Sequence, residues 1–341
     1  MTGAPPFLVL APLAFASALL LTPIIRRIAR ATGYMDLPDP RKAHPEPTPL
    51  LGGVAVALAL VLAPLLARFG FGVSSPLPDP GILAGAVLSL GLGLLDDHRP
   101  MGPLGKLIGQ LAAAACLVFW GPRVEWIEAN PLALVGAIVV VITLLNAVNF
   151  LDAMDGLVGV MLPIIAAGFA LIGVLYGAPV DLALAWGLVG ATAGFLVYNA
   201  PPARIFLGDA GSHLLGFAIA ALAFQSLRGI PTIPHVASVA LFLAYPMFDV
   251  VFVVLDRLLR RRPVYIGGVD HTTHRLGRMR GPWGTLAVVS SITSVSVLAG
   301  IKVWNLENPQ SAIAAVLIFG LGYAIFGLYL RRIGPTPHFD I

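Results

Sequence analysis

Charge is scarce in this sequence. Asp, Glu, Lys and Arg make up 11% of its 341 residues, against about 25% in an ordinary soluble domain. A chain so poor in charge could not cover a core with polar side chains, which excludes a water-soluble enzyme or binding module. Cysteine is nearly absent: Cys116 alone cannot form an internal disulfide, so a disulfide-stapled secreted module is excluded and the redox compartment stays unread. Internal repeats and low-complexity tracts are missing as well. What is abundant is apolar: 58% of residues are hydrophobic and the mean hydropathy is +0.90. Disorder and a collagen-like fibre are thereby excluded, and an all-α, polytopic integral membrane protein remains. The net charge of +4 is dispersed among apolar runs. It therefore suits membrane lipid or an anionic substrate, with no nucleic acid.

A membrane-spanning helix needs about 20 mostly apolar residues. Eleven such runs lie near 5–25, 50–70, 81–98, 105–121, 131–149, 157–177, 181–199, 211–228, 235–256, 283–303 and 311–330. Pro246 and Asp249 interrupt the ninth, where a kink is expected. With the N-terminus outside, seventeen of the 21 Lys and Arg residues fall on the inner side, which places the C-terminus in the cytoplasm. The first run has no basic region before it and no small-residue cleavage site after it, so it reads as an anchor. The expected organisation is one transmembrane domain, 1–341, with cytoplasmic loops near 26–49, 99–105, 150–156, 200–210 and 257–282. The Pro-rich first loop should be largely irregular.

Acids beside a membrane are costly and therefore informative. Asp96 and Asp97 close the third span, Asp152 and Asp155 separate the fifth from the sixth, Asp209 precedes the eighth, and Asp249 lies near the inner end of the ninth. All fall on the inner side. Such oxygen ligands suit Mg²⁺, which binds one or two carboxylates together with substrate phosphates. Helix-end roles compete: Asp152 or Asp155 could cap the sixth span, and Asp209 the eighth. His271 and His274 read as a zinc pair or as phosphate contacts, and two imidazoles without cysteine disfavour structural zinc. His213 is left open. Gly190 and Gly194 read as a small-residue packing face, and Arg257–Arg262 as an inner-leaflet anchor.

Six motifs occur in order: Asp39-Pro-Arg-Lys-Ala-His44 with Pro49-Leu-Leu-Gly-Gly53; Gly93-Leu-Leu-Asp-Asp97; Asn146-Ala-Val-Asn-Phe-Leu-Asp-Ala-Met-Asp-Gly156; Tyr198-Asn-Ala-Pro-Pro-Ala-Arg-Ile-Phe-Leu-Gly-Asp-Ala-Gly-Ser212; Pro246-Met-Phe-Asp249; and Asp270-His-Thr-Thr-His-Arg-Leu276. Over most of its length the chain resembles the polyprenyl-phosphate N-acetylhexosamine-1-phosphate transferases. These membrane enzymes start lipid-linked, cell-envelope glycan synthesis. The first loop and the eleventh span look most like the branch that uses UDP-N-acetylglucosamine. In one departure, Thr272 and Thr273 separate histidines that relatives pack closely, which bears on sugar specificity.

The resemblance implies a Mg²⁺-dependent phosphotransferase, with Mn²⁺ as a substitute. It moves a sugar-1-phosphate from a UDP-N-acetylhexosamine to undecaprenyl or another polyprenyl phosphate and releases UMP. It implies Asp96, Asp97, Asp209, His271 and His274 as catalytic residues. Lys42, Asn149, Asp152, Asp155, Asn199, Phe206, Asp249 and Arg275 are implied as substrate-binding, and Asp209 with Asp152 as metal ligands. The site would face the cytoplasm from the inner, plasma membrane, and a homodimer stays open. The alternative within the family is phospho-N-acetylmuramoyl-pentapeptide transferase. Outside it, a secondary transporter is disfavoured, since acids gather at helix ends and no repeat is evident.

Overall fold

The structure is a computed structural model that describes residues 6–37, 46–73, 77–263, 268 and 270–333. Lys42 and the rest of the Asp39–His44 motif lie outside the described residues. The chain divides into two compact units, residues 1–230 and 231–341.

The first unit contains α1 (Leu10–Thr32), α2 (Gly52–Phe71), α3 (Pro80–His98), α4 (Pro103–Trp120), a short α5 (Glu125–Glu128), α6 (Pro131–Leu151), α7 (Leu157–Tyr176), α8 (Leu182–Asn199) and α9 (Gly208–Ser226). Local chemistry sets many of the starts. Pro80, Pro103 and Pro131 occupy the first helical position, where a missing N–H costs nothing. The Asn130 side chain accepts from Leu132 and Ala133 N–H, and Asp181 caps Ala183 and Leu184 likewise. The Pro-rich segment after α1 has regular structure at its described ends, which pair as antiparallel β1 (Met35–Asp36) and β2 (Thr48–Pro49).

Helix α9 is the core of this unit. Every residue from Gly208 to Ser226 is buried except Asp209, and α2, α3, α6 and α7 pack around it. Helices α1 and α8 approach closely along the Gly190/Gly194 face. A Cβ on Gly190 would strike the Ala11 carbonyl, and one on Gly194 would come within 2.5 Å of the Phe15 carbonyl oxygen.

The second unit contains α10 (Ile233–Phe242), α11 (Ala244–Leu259), α12 (Thr272–Trp304) and α13 (Pro309–Ile333). Helices α10 and α11 meet at a 70° bend. Pro246 lacks the N–H that the Phe242 carbonyl would accept from, so the helix parts at Leu243, three residues before the proline. Gly281 (φ 67°, ψ 178°) breaks α12 into segments 272–280 and 282–304. Helix α13 exposes Leu317, Ile318, Leu321, Ile325 and Leu328, a surface suited to lipid, where backbone hydrogen bonds must be met within the helix.

Each of the eleven apolar runs falls on a helix or a helix pair. Among the described residues, nine helices are long and apolar enough to cross a membrane, or ten if the bent pair is one span. The count the helices support is therefore nine to ten rather than eleven. The shortfall is α9: a helix wrapped by its neighbours has no need of a lipid-facing composition.

Gly194→Leu should overpack the α1–α8 contact and cost about 1–3 kcal/mol. Thermal unfolding in detergent should show a lower midpoint, and an unchanged midpoint would remove the packing role.

Candidate functional site

The first unit concentrates its polar groups at one end of α9. Gly208 opens that helix in the left-handed region (φ 76°), and a Cβ there would fall 2.7 Å from Asp97 Oδ2. Only glycine meets both demands at little cost. Asp97, at the end of α3, accepts from Asp209 N–H at 2.8 Å and from Ala210 N–H at 3.1 Å. These amides belong to the first turn of α9, which lacks intrahelical partners and carries partial positive charge.

Asp96 and Asp209 are joined by a cation. Lys106 Nζ, in the first turn of α4, lies 2.5 Å from Asp96 Oδ2 and 2.9 Å from Asp209 Oδ2. Asp96 also accepts from Met101 N–H at 2.6 Å. The other oxygen of Asp209 accepts from Asn149 Nδ2 at 2.7 Å, and the same amide reaches Ser212 Oγ at 2.9 Å. One turn deeper, His213 Nδ1 bonds the Asp209 carbonyl at 2.9 Å while Nε2 meets Gln110 Nε2 at 3.2 Å. The carbonyl can only accept, so Nδ1 carries the proton and Nε2 accepts from the amide. Gln110 and Asn146 exchange amide bonds at 3.0 and 2.9 Å. His213 is therefore a packed residue that fixes the start of α9.

The loop after α6 adds two more acids. Burial, and then the nearby charges of Asp209, Asp97 and Asp155, push the Asp152 carboxyl well above the usual carboxylate range. Asp155 Oδ2 accepts from Ala203 N–H at 2.9 Å. Asn199 is buried, and both ends of its amide are used: its carbonyl accepts from Gly156 N–H and its NH₂ donates to the Ile205 carbonyl, both at 3.0 Å. Phe206 is half-buried, and its backbone pairs with the Pro49–Gly53 segment. Phe206 N–H donates to the Pro49 carbonyl at 2.8 Å, and the Phe206 and Leu207 carbonyls accept from Gly52 and Gly53 at 3.0 and 2.8 Å. Leu51, between them, has φ 75°, a strained value for a branched side chain, typically costing about 1–3 kcal/mol and held by these bonds. Four of the six motifs thus meet in the first unit.

The second unit arranges its expected residues differently. Asp249 is completely buried. It accepts from His271 Nδ1 at 2.7 Å on one oxygen, and from Thr272 N–H and Oγ1–H at 2.9 and 2.5 Å on the other. The His271 and His274 rings lie 6.0 Å apart. Arg275 is turned inward: it is 0% exposed and donates to Asp256 at 2.5 Å and to the Asp270 and Leu330 carbonyls at 3.3 Å. Its guanidinium carbon sits 4.8 Å from the centre of the Phe252 ring. Arg257 is likewise buried, in a two-bond pair with Asp270 at 2.7 and 2.6 Å. Burial raises the Asp270 carboxyl, but Arg257 more than offsets this and holds it below its usual range. The basic run is thus partly an internal clamp, because Asp256 also binds Arg260 and Arg331.

Sequence reasoning missed Lys106, Gln110 and Ser212. A signal existed: Lys106 opens a span on the same side as the acids, and Gln110 follows one turn later on the same face. Among the described residues, no three His, Cys, Asp or Glu side chains are grouped to hold a metal ion, so the acids form no all-protein cage.

A family model described as Glycosyl transferase family 4 matches residues 80–227. The chain is 30% identical to the "Probable undecaprenyl-phosphate N-acetylglucosaminyl 1-phosphate transferase" of Bacillus subtilis (strain 168), over 76% of this chain and 74% of that one. It is 31% identical to the "Decaprenyl-phosphate N-acetylglucosaminephosphotransferase" of Mycobacterium tuberculosis (strain CDC 1551 / Oshkosh), over 90% and 85%. It is also 32% identical to the "Phospho-N-acetylmuramoyl-pentapeptide-transferase" of Heliobacterium modesticaldum (strain ATCC 51547 / Ice1), over 60% and 68%.

Lys106→Met should leave Asp96 and Asp209 without their shared cation. The expected cost is about 1–3 kcal/mol, discounted for the partial exposure of Lys106. The melting temperature in detergent should fall, and Asp96→Asn on the same chain should restore it. A melting temperature insensitive to both would contradict the bridge.

Proposed function

This chain belongs to the polyprenyl-phosphate N-acetylhexosamine-1-phosphate transferases, glycosyl transferase family 4, and on that premise we propose that it moves N-acetylglucosamine-1-phosphate from UDP-N-acetylglucosamine to undecaprenyl or another polyprenyl phosphate, releasing UMP. The observation that carries the reading is the Asp96–Lys106–Asp209 bridge beside Asp97 and Asn149. It is a set of carboxylates placed where charge must be neutralised. The choice of sugar rests on relatives: the two N-acetylglucosamine enzymes are matched over 74% and 85% of their length, the muramoyl-pentapeptide enzyme over 68%.

Phosphoryl transfer asks a protein chiefly for positioning and charge neutralisation. Both oxygens of Asp97 are committed to backbone amides, so its role is to hold the start of α9 and orient what binds there. A base is scarcely needed, since a phosphate monoester has its second pKa near 6 and is largely dianionic at neutral pH. Asn149 orients the Asp209 carboxylate, and Asp152, Asp155, Asn199 and Phe206 shape the nucleotide side. Phe206 would stack on uracil and Asp155 would accept its N–H. His271 and His274 are phosphate contacts.

The donor set fits Mg²⁺. Asp209 already shares a cation with Asp96, and burial together with three neighbouring carboxylates raises the proton affinity of Asp152. Asp209 and Asp152 would hold the ion, with the remaining ligands coming from phosphate and water. The chemistry such an ion supplies is neutralisation of the donor diphosphate and of the departing UMP. The Lys and Arg asymmetry supports a site on the cytoplasmic face of the inner membrane. There UDP-sugars are available and the lipid phosphate lies at the interface.

Membranes carrying Asp209→Asn or Asp97→Asn should lose at least about 100-fold of their Mg²⁺-dependent UMP release from UDP-N-acetylglucosamine and polyprenyl phosphate. Unchanged turnover in both would sink the site assignment.

A further inference from the structure

The C-terminal end of α1 carries positive charge that the acids at α9 do not use. Arg26 and Arg30 stand four residues apart, so they share one face of the helix. Phe15 and Leu19 continue that face along α1 by the same helical period. The Leu19 carbonyl accepts from Tyr198 Oη at 3.1 Å, and the Tyr198 carbonyl accepts from Arg204 N–H at 2.9 Å. These two bonds tie the end of α8 and the loop after it to α1. Arg204, on that loop, and Arg30 are both near enough to Arg26 for their charges to repel it. Among the described residues, none of the three guanidinium groups has a hydrogen bond or an ion pair to answer this repulsion. Asp155, which meets the same loop, is given to Ala203 N–H. Arg26 Nε is covered by protein without an acceptor, so packing rather than a counter-charge holds that group in place. Arg26 as a whole is half-buried, and Arg30 and Arg204 are exposed, so an anion can reach all three.

We propose that Arg26, Arg30 and Arg204 form a binding site for the phosphate of an anionic phospholipid, in the leaflet that meets this end of α1. Guanidinium groups take phosphate through paired, charge-assisted hydrogen bonds. The position of the cluster selects a lipid over a soluble anion. Helix α1 is long and apolar enough to cross a membrane, and its last two turns, which hold Arg26 and Arg30, fall at headgroup depth. Deeper on the same face Phe15 is exposed and Leu19 half-buried, and Val197 of α8, beside Tyr198, is exposed. They leave an apolar surface for acyl chains on the membrane side of the phosphate. A general attraction of basic residues to acidic lipid would treat the arginines of this helix alike. Arg27 provides the comparison: it is exposed on the same turn, but points about 100° away from Arg26 around the helix. A bound phosphate would join α1 to the loop that leads to Phe206 and Asp209. The site uses none of the acids at α9, and it does not depend on the transferase reading.

The test is a titration of the delipidated full chain in non-ionic detergent, read by native mass spectrometry. The probes are phosphatidylglycerol, phosphatidylcholine and inorganic phosphate. Phosphatidylglycerol is expected to bind at least about tenfold more tightly than phosphatidylcholine, whose own ammonium group already answers its phosphate. Inorganic phosphate in large excess should leave the bound lipid in place. Arg26→Gln and Arg204→Gln should each weaken phosphatidylglycerol binding at least about tenfold, the loss of one charge-assisted pair. Arg27→Gln removes the same charge from the adjacent position and should change the affinity less than about threefold. Should Arg26→Gln not fold, Arg30→Gln at an exposed position provides the second variant, again with a loss of about tenfold. Equal losses in Arg26→Gln and Arg27→Gln would show diffuse attraction to acidic lipid and overturn the proposal. So would equal binding of the two phospholipids, or displacement of phosphatidylglycerol by inorganic phosphate, which would make the ligand a soluble anion.

Discussion

Carboxylates crowded at the end of a membrane helix repel one another unless positive charge is built in beside them, and the first unit is organised around that constraint. Two sources of positive charge answer it. The Lys106 ammonium spans Asp96 and Asp209, and the exposed amides of the first turn of α9 are given to Asp97. The rest follows from bringing α9 this close. Gly208 must be glycine, the Gln110–Asn146–His213 chain must be satisfied inside an apolar core, and the Pro49–Gly53 segment must zip onto Phe206 and Leu207. A substrate that brings phosphates and a cation would exchange charge with a site that already has its counter-charges in place, so little reorganisation is required.

The second unit solves the same problem with arginine. Asp256 gathers Arg260, Arg275 and Arg331, and Asp270 takes Arg257. These pairs tie α11, the start of α12 and the end of α13 together. Breaking one side of such a buried pair is far costlier than the pair is worth. Arginines that read as an inner-leaflet anchor are in part committed inward, and the buried Asp249 accepts from His271 and Thr272.

The acidic motifs were legible in the sequence because an acid inside or beside an apolar run is costly and has few bland explanations. Asp96, Asp97, Asn149, Asp152, Asp155 and Asp209 come from separate stretches of chain, and the structure brings them to one end of α9. The Gly190/Gly194 face was legible too, since a small-residue pair four apart has little use except close packing. Three things were not. The direction of a long side chain is invisible to spacing, so Arg275 and Arg257 read as outward when they point in. Lys106 lacked a motif of its own, and its meaning comes from Asp209, which is remote in the chain. Among the described residues the eleventh crossing is not supported by composition, because α9 is sheltered by four neighbours and its polar positions are satisfied by protein rather than exposed to lipid.

Transfer between two phosphates is the chemistry this assembly is built to serve, and one measurement addresses it directly. Purified full-length protein is incubated with a panel of UDP-sugars and Mg²⁺, with and without polyprenyl phosphate, and UMP is quantified. UMP release is expected only when the lipid phosphate is present, greatest with UDP-N-acetylglucosamine, and abolished by chelation. UMP release indifferent to the lipid, or none with any UDP-sugar, would contradict that assignment.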